Sequence, residues 1–231
     1  MVMNAVVTHE NHAEVLTFLR EAVRDRRTVG AVAPSGRALA EVLTAPVRDR
    51  PAQPLTVLEV GAGTGSVTRA LLGHMPTGSN LDIIEANPRF AARLRRLVDT
   101  RDPLTSAAAT AEIHEMLLSR FATERRYDVI VSGLPMTNFE PGEVNDIMAR
   151  LVELLHPEGT LTYFAYVGTR AARRLVSAPA QARRHDAVEA VLQAWRAAHT
   201  ARRRTVWANL PPAHVWHLRS ALRGLADRPA A

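Results

Sequence analysis

Hydrophobic positions between residues 56 and 167 alternate between two patterns. Short runs that are apolar at almost every place give way to stretches where apolar residues recur every third or fourth place. The first pattern predicts strands buried on both faces, and the second predicts amphipathic helices. Strands are expected over Thr56–Val60, Leu81–Glu85, Tyr127–Ser132 and Thr160–Val167, with a weaker one over Leu104–Ala108. Helices are expected over Ser66–His74, from Pro88 to about Val98, and over Glu112–Glu124 and Glu143–Leu155. Asn87 is placed to cap the helix that Pro88 opens, a favoured arrangement, and Pro157-Glu158-Gly159 ends the last helix. Repeated strand–helix units imply parallel strands joined by right-handed crossovers.

The flanks read differently. Residues 10–27 carry Val15, Leu16, Leu19, Ala22 and Val23 at helical spacing, with Arg20, Arg24, Arg26 and Arg27 crowding the second half. Thr28 to Pro34 breaks that helix, and Ser35 is a candidate cap for a second one over residues 36–44. Pro46 to Pro54, with three prolines, reads as a linker. Near the other end His185–His199 reads as a helix, and the short runs Arg203–Asn209 and His214–Leu218 around Pro211-Pro212 read as an antiparallel hairpin. The expected fold is α/β: a mostly parallel sheet closed by a C-terminal antiparallel hairpin. A helical extension occupies 1–50 and the main domain 51–231.

Composition narrows the chemistry. The 231 residues include no Cys, so disulfides, thiolate nucleophiles and Cys-held metals are excluded. They also include no Lys: all 29 basic side chains are Arg, which excludes a Walker A lysine, Schiff-base chemistry and a lysine base. The nine His show no metal-ligand spacing, so no metal is expected. Charge is uneven. Residues 170–231 hold 12 Arg against three acids, whereas the rest holds 17 Arg against 20 acids. Such a basic region suits an anionic partner. Met1 to Val7 lacks the features of a secretion signal, and no apolar run approaches the roughly 20 residues of a membrane helix. The expected location is therefore cytoplasmic, with peripheral attachment to a membrane face left open.

The sharpest motif is Glu59-Val60-Gly61-Ala62-Gly63-Thr64-Gly65, leaving a strand and entering a helix. Glycines let backbone approach a ligand closely, and the helix start presents unpaired N–H groups. A P-loop is excluded by the missing Lys. A dinucleotide fingerprint would place its third glycine at position 66, which is Ser. Glu85, about 20 residues on, ends the second strand where a carboxylate can accept from ribose hydroxyls.

These residues resemble motif I of class I S-adenosylmethionine-dependent methyltransferases, a Rossmann-like fold with a seven-stranded sheet. The resemblance implies S-adenosylmethionine as cofactor, held by Glu59, Gly61, Ala62, Gly63 and Gly65, by Glu85 and Ala86, and by Ser132. The Asp often found after the third strand in this family has no counterpart in Ala107 to Glu112. Backbone at Ala109 and Thr110, or the Glu112 carboxylate, is expected to take its place. Three further segments resemble bacterial phospholipid N-methyltransferases and, more distantly, rRNA adenine dimethyltransferases: Val29 to Ser35, Ser132-Gly133-Leu134-Pro135 with Asn138-Phe139, and Asn209-Leu210-Pro211-Pro212-Ala213.

The implied reaction methylates the amine of phosphatidylethanolamine or a related phospholipid. Leu134, Pro135 and Tyr166 are the implied positioning residues, with Tyr163 as a further candidate. Gly133, Arg203 and Arg204 contact substrate in this reading. Arg202, or Arg170, Arg173 and Arg174, are further candidates for the lipid phosphate, and an anionic membrane surface is the implied partner. The alternatives are a small-molecule methyltransferase on the same framework and an RNA adenine N-methyltransferase. Met136 stands where adenine-modifying relatives place a stacking aromatic, which counts against nucleic acid as the substrate.

Overall fold

The computed structural model describes residues 32–100, 109–167, 179–209 and 211–219. The expected helix over 10–27, the weak strand over Leu104–Ala108, and Arg170, Arg173 and Arg174 lie outside these residues. Seven strands form one sheet in the order β3-β2-β1-β4-β5-β7-β6. They are β1 (Thr56–Val60), β2 (Ser79–Ile84), β3 (Ala109–His114), β4 (Tyr127–Ser132), β5 (Leu155–Tyr166), β6 (Thr200–Val206) and β7 (Ala213–Arg219). The first five run parallel, and β7 lies antiparallel between β5 and β6. This is the Rossmann-like arrangement that the strand–helix alternation implied, with the hairpin inserted by its second strand.

The helices are α1 (Val32–Leu43), α2 (Ala45–Arg48), α3 (Ser66–His74), α4 (Pro88–Asp99), α5 (Pro141–Glu153) and α6 (Pro179–Ala197). They cover both faces of the sheet. On one face Leu39 and Leu43 of α1, Leu71 of α3 and Leu94 of α4 pack on Val57, Ile83, Val131 and Val215. On the other face Met148 and Leu151 of α5, with Val188 and Leu192 of α6, pack on Leu58, Ile130, Tyr163 and Leu218. Full cover explains why β1 and β4 carry hydrophobic residues without alternation. Asn87 caps α4 as expected, its side chain accepting from Arg89 N at 2.9 Å. At α5, Glu140 and Glu143 form a capping box.

Three expectations are corrected. The helix expected over Glu112–Glu124 is strand β3 as far as His114, followed by a single 3-10 turn over Leu118–Arg120. β3 is the edge strand, so Ala109, Ala111 and Ile113 alternate with Thr110, Glu112 and His114, and its apolar face alone packs on the core. The Pro46–Pro54 linker begins as helix α2, whose Val47 is in the core, and only the residues from Asp49 onward are irregular. β2 starts earlier than its apolar run, at Ser79, whose buried hydroxyl accepts from Leu55 N at 3.0 Å.

At the N-terminal end of β4 the register to β5 shifts between Tyr127 and Val129, and Tyr127 packs with Leu58 and Ile130. Its hydroxyl donates to buried Asp82 at 2.7 Å. Arg125 reaches the same carboxylate at 3.0 Å and His114 Nε2 lies 3.1 Å from its other oxygen. Burial, then the Asp82 charge, pushes the Tyr127 ionisation upward. Tyr127→Phe removes a donor from a buried carboxylate and should cost about 1.5–3 kcal/mol of stability, read from urea unfolding.

Candidate functional site

The parallel strands deliver their turns to one edge of the sheet. β1 ends in a turn where Gly61, Gly63 and Gly65 all have left-handed φ, at 73°, 56° and 83°. These values strain any residue bearing a Cβ. Gly65 sits immediately before Ser66, the first residue of α3, so the turn aims at a helix N-terminus.

Backbone hydrogen bonds continue the ladder past the strand ends. Glu85 N donates to His114 O at 3.1 Å, Gly61 N to Ile84 O at 2.8 Å, and Gly133 N to Val60 O at 2.8 Å. The turns after β1 and β4 are pressed together. A Cβ on Gly133 would lie 2.5 Å from the Gly61 carbonyl oxygen, and one on Gly61 would lie 2.8 Å from Leu134 Cδ2.

Two carboxylates face this turn. Glu85, at the end of β2, accepts from Gly63 N and from Asn87 N, each at 2.8 Å. It thereby ties the glycine turn to the start of α4. Glu59 points under the turn and is 1% exposed. Its Oε2 accepts from Thr68 Oγ1 of α3 at 2.7 Å, and its Oε1 has no partner. Burial above all, then the neighbouring Glu85 charge, pushes its carboxyl up to about 8, against the pull of the Thr68 hydrogen bond.

The structure brings most of the expected cofactor residues together: Glu59, Gly61, Ala62, Gly63, Gly65, Glu85, Ala86 and Ser132 share the C-terminal edge of β1, β2 and β4. Ala109 and Thr110 do not join them. They open β3 and pair with Ser79 and Asn80, whereas His114 pairs with Ile84. That puts them about 16 Å from the other end of the strand. The residue of β3 beside Glu85 is His114, whose carbonyl accepts from Glu85 N, with Glu115 and Met116 following it, all within the segment expected to be helical. The period-two pattern of 109–114 was the available signal.

Leu134 and Pro135 follow β4, and Leu134 packs on the glycine turn. Met136 is wholly within the core, so that position offers no face for stacking. Tyr163 and Tyr166 lie on opposite faces of β5. Tyr163 is buried and accepts from Arg196 at 3.2 Å, while Tyr166 stacks edge-on with Phe164 at 5.2 Å.

Arg203 and Arg204, expected to contact substrate, also face opposite ways, because successive residues of a strand do. Arg203 lies over the Trp216 ring at 5.6 Å, on the face where Arg196 covers the same ring at 4.5 Å. Arg204 pairs in register with Val215, and its charge bears on His217, on the face of α1. β6 is four strands from β1, about 19 Å across the sheet.

Residues 57–159 match the family model for the methyltransferase domain. That stretch is a methyltransferase domain, and the enzyme is an S-adenosylmethionine-dependent methyltransferase. It is 27% identical over 161 residues to an ornithine lipid N-methyltransferase of Singulisphaera acidiphila, spanning 68% of this chain and 82% of the relative. Its fold is similar to that of the Burkholderia thailandensis 1,6-didemethyltoxoflavin-N1-methyltransferase solved with S-adenosylhomocysteine (TM-score 0.62, 19% identity, 92% of this chain and 89% of that one). It is also similar to a Bacillus cereus O-methyltransferase in complex with S-adenosylhomocysteine (TM-score 0.59, 13% identity, 95% and 100%). The cofactor of this methyltransferase is S-adenosylmethionine, and the site suits it. Backbone without Cβ atoms gives a close approach, and the buried Glu59 oxygen without a partner supplies negative potential for a cationic ligand.

Three outcomes follow for stability. Gly133→Ala should cost about 1–3 kcal/mol in urea unfolding, because its new methyl meets backbone. Gly73→Ala, in the last turn of α3 with nothing within 4 Å of an added Cβ, should gain up to about 0.5–1 kcal/mol. Glu59 holds its proton in the folded chain and loses it in the unfolded chain between its ordinary 4.5 and about 8, so cofactor-free stability falls as pH rises through that window. The stabilising effect of Glu59→Gln on the melting temperature should therefore be larger at about pH 8.5 than at about pH 6.

Proposed function

We propose that this methyltransferase acts on the amine of a phospholipid such as phosphatidylethanolamine. The observation that carries the reading is the Ser132–Pro135 turn, pressed onto the glycine turn in a chain similar to an ornithine lipid N-methyltransferase. Among the described residues nothing donates to the Leu134 carbonyl, and Pro135 stiffens the backbone beside it. That carbonyl accepts one N–H of the incoming amine and aims its lone pair across the turn.

When bound, the cofactor supplies an electrophilic methyl group on a sulfonium. The chain's part is to align and to dry the site. Glu59, Gly61, Ala62, Gly63 and Gly65 hold the methionine part, and Glu85 and Ala86 the ribose. Ser132, with its buried hydroxyl 3.4 Å from Leu134 N, sets the floor of the turn. The adenine falls to the residues after β3, where Glu115 is held by Arg95 at 2.9 Å, in place of Ala109 and Thr110. The half-buried side chains of Leu134 and Phe139 line the acceptor side and favour the neutral amine over the ammonium. Tyr166 positions the headgroup from β5.

The basic hairpin supports a lipid surface as partner. Arg202, Arg203 and Arg204 of β6 are exposed, and Trp207 just beyond them is 73% exposed. A Trp beside guanidinium groups suits the interface of an anionic membrane. No helix among the described residues is long and apolar enough to cross a membrane. The cytoplasmic, peripheral location belongs to this reading, as does the division into an extension over 1–50 and a main domain over 51–231.

The test is transfer of labelled methyl groups. Label is expected in phosphatidylethanolamine within liposomes. No label in lipid with cofactor binding intact would overturn the reading, and label only in a water-soluble amine would leave the small-molecule alternative. In a second assay, Trp207→Ala combined with Arg202→Ala and Arg204→Ala should lower the rate on anionic liposomes several-fold. The rate on a monomeric short-chain amine should not change.

A further inference from the structure

We propose that Glu59 couples cofactor binding to proton release: its carboxyl is neutral in the cofactor-free protein and gives its proton to solvent as the cationic cofactor settles on the glycine turn. The inference rests on the cofactor identification and concerns what this one side chain does. Geometry sets it apart from Glu85. Both Glu85 oxygens accept backbone N–H bonds, which favour a charged carboxylate. Glu59 has one donor, the Thr68 hydroxyl, and a second oxygen buried without any. A charge there lacks both water and a counter-ion, so the proton stays.

The surroundings of Glu59 reinforce this. The charged group facing it is Glu85, which opposes ionisation. α3 directs Arg69 to the Gly65 carbonyl at 3.3 Å, and its His74 lies 3.2 Å from Glu41 of α1. Arg37 of α1 is exposed. In β4 the register partner of Glu59 is Val131, and Asp128 at the far end accepts from Thr56 N. Among the described residues no cation compensates Glu59. A sulfonium and an ammonium brought to the turn above it supply the missing positive potential and shift the carboxyl toward its charged form. Its rise to about 8 without them places the change within the physiological range.

The experiment is calorimetric titration of S-adenosylmethionine at about pH 7 in two buffers of different ionisation enthalpy. The dependence of the heat on the buffer counts protons released. The wild type is expected to release roughly one proton more than Glu59→Gln, because the cofactor's own α-amino group contributes equally to both. Its affinity should rise with pH, by up to about tenfold per unit, and level off near pH 8.

Equal release by wild type and Glu59→Gln, with binding intact in both, would overturn the proposal. Absence of binding to the wild type would instead overturn the cofactor assignment. Thr68→Val provides an independent check, since it keeps the acid and removes the donor that favours its charged form. Its affinity should level off at a higher pH than the wild type's, and an unmoved plateau would count against the proposal.

Discussion

The site depends on three backbone hydrogen bonds laid like steps across the ends of four parallel strands. Glu85 N meets the end of β3, Gly61 N the end of β2, and Gly133 N the end of β1. Each step is the first residue of a turn continuing the ladder of the strand beside it. The bonds fix where the turns begin, and the contact between Gly61 and Gly133 fixes how closely they pack. A side chain at Gly133 would collide with backbone, which cannot rotate away. The turns after β1 and β4 therefore rest on one rigid strip of main chain, and accurate placement is what a methyl transfer between two bound groups most needs.

Around that strip the charges are arranged by burial. Glu85 is satisfied by main-chain donors and acts as a tie between two turns. Glu59 is left short of donors on the inner side of the same turn. Asp82, in the middle of β2, is buried too but is met by Tyr127, Arg125 and His114. The three carboxylates differ in how many donors reach them: both oxygens of Glu85 and of Asp82 are met, and one oxygen of Glu59 is not.

Much of this was legible in the residues. Continuous apolar runs marked β1 and β4, because both faces of a central strand are covered. The glycine spacing and Glu85 marked the cofactor edge, since left-handed backbone and a carboxylate at a strand end are local requirements. The third strand was not legible in the same way. Its Thr110, Glu112 and His114 lie on the more exposed face of an edge strand, so it lacks the continuous run, and its first residues, Ala109 and Thr110, lie at the end of the sheet away from the glycine turn. Arg203 and Arg204 face apart for a related reason. Adjacency along a strand is separation across it. Contacts that depend on which strands become neighbours, such as Gly133 on Gly61 or Tyr127 on Asp82, span 72 and 45 residues, and no local pattern announces them.

The three arginines of β6 have a further consequence. β6 is the last strand of the sheet, and its outer rim of N–H and C=O groups could template pairing with another chain. A second copy offering the same rim would crowd its guanidinium groups against these on both faces of the joined sheet, and each would have to shed water without meeting an acid of the strand. The arginines thus discourage the protein from joining edge to edge with itself.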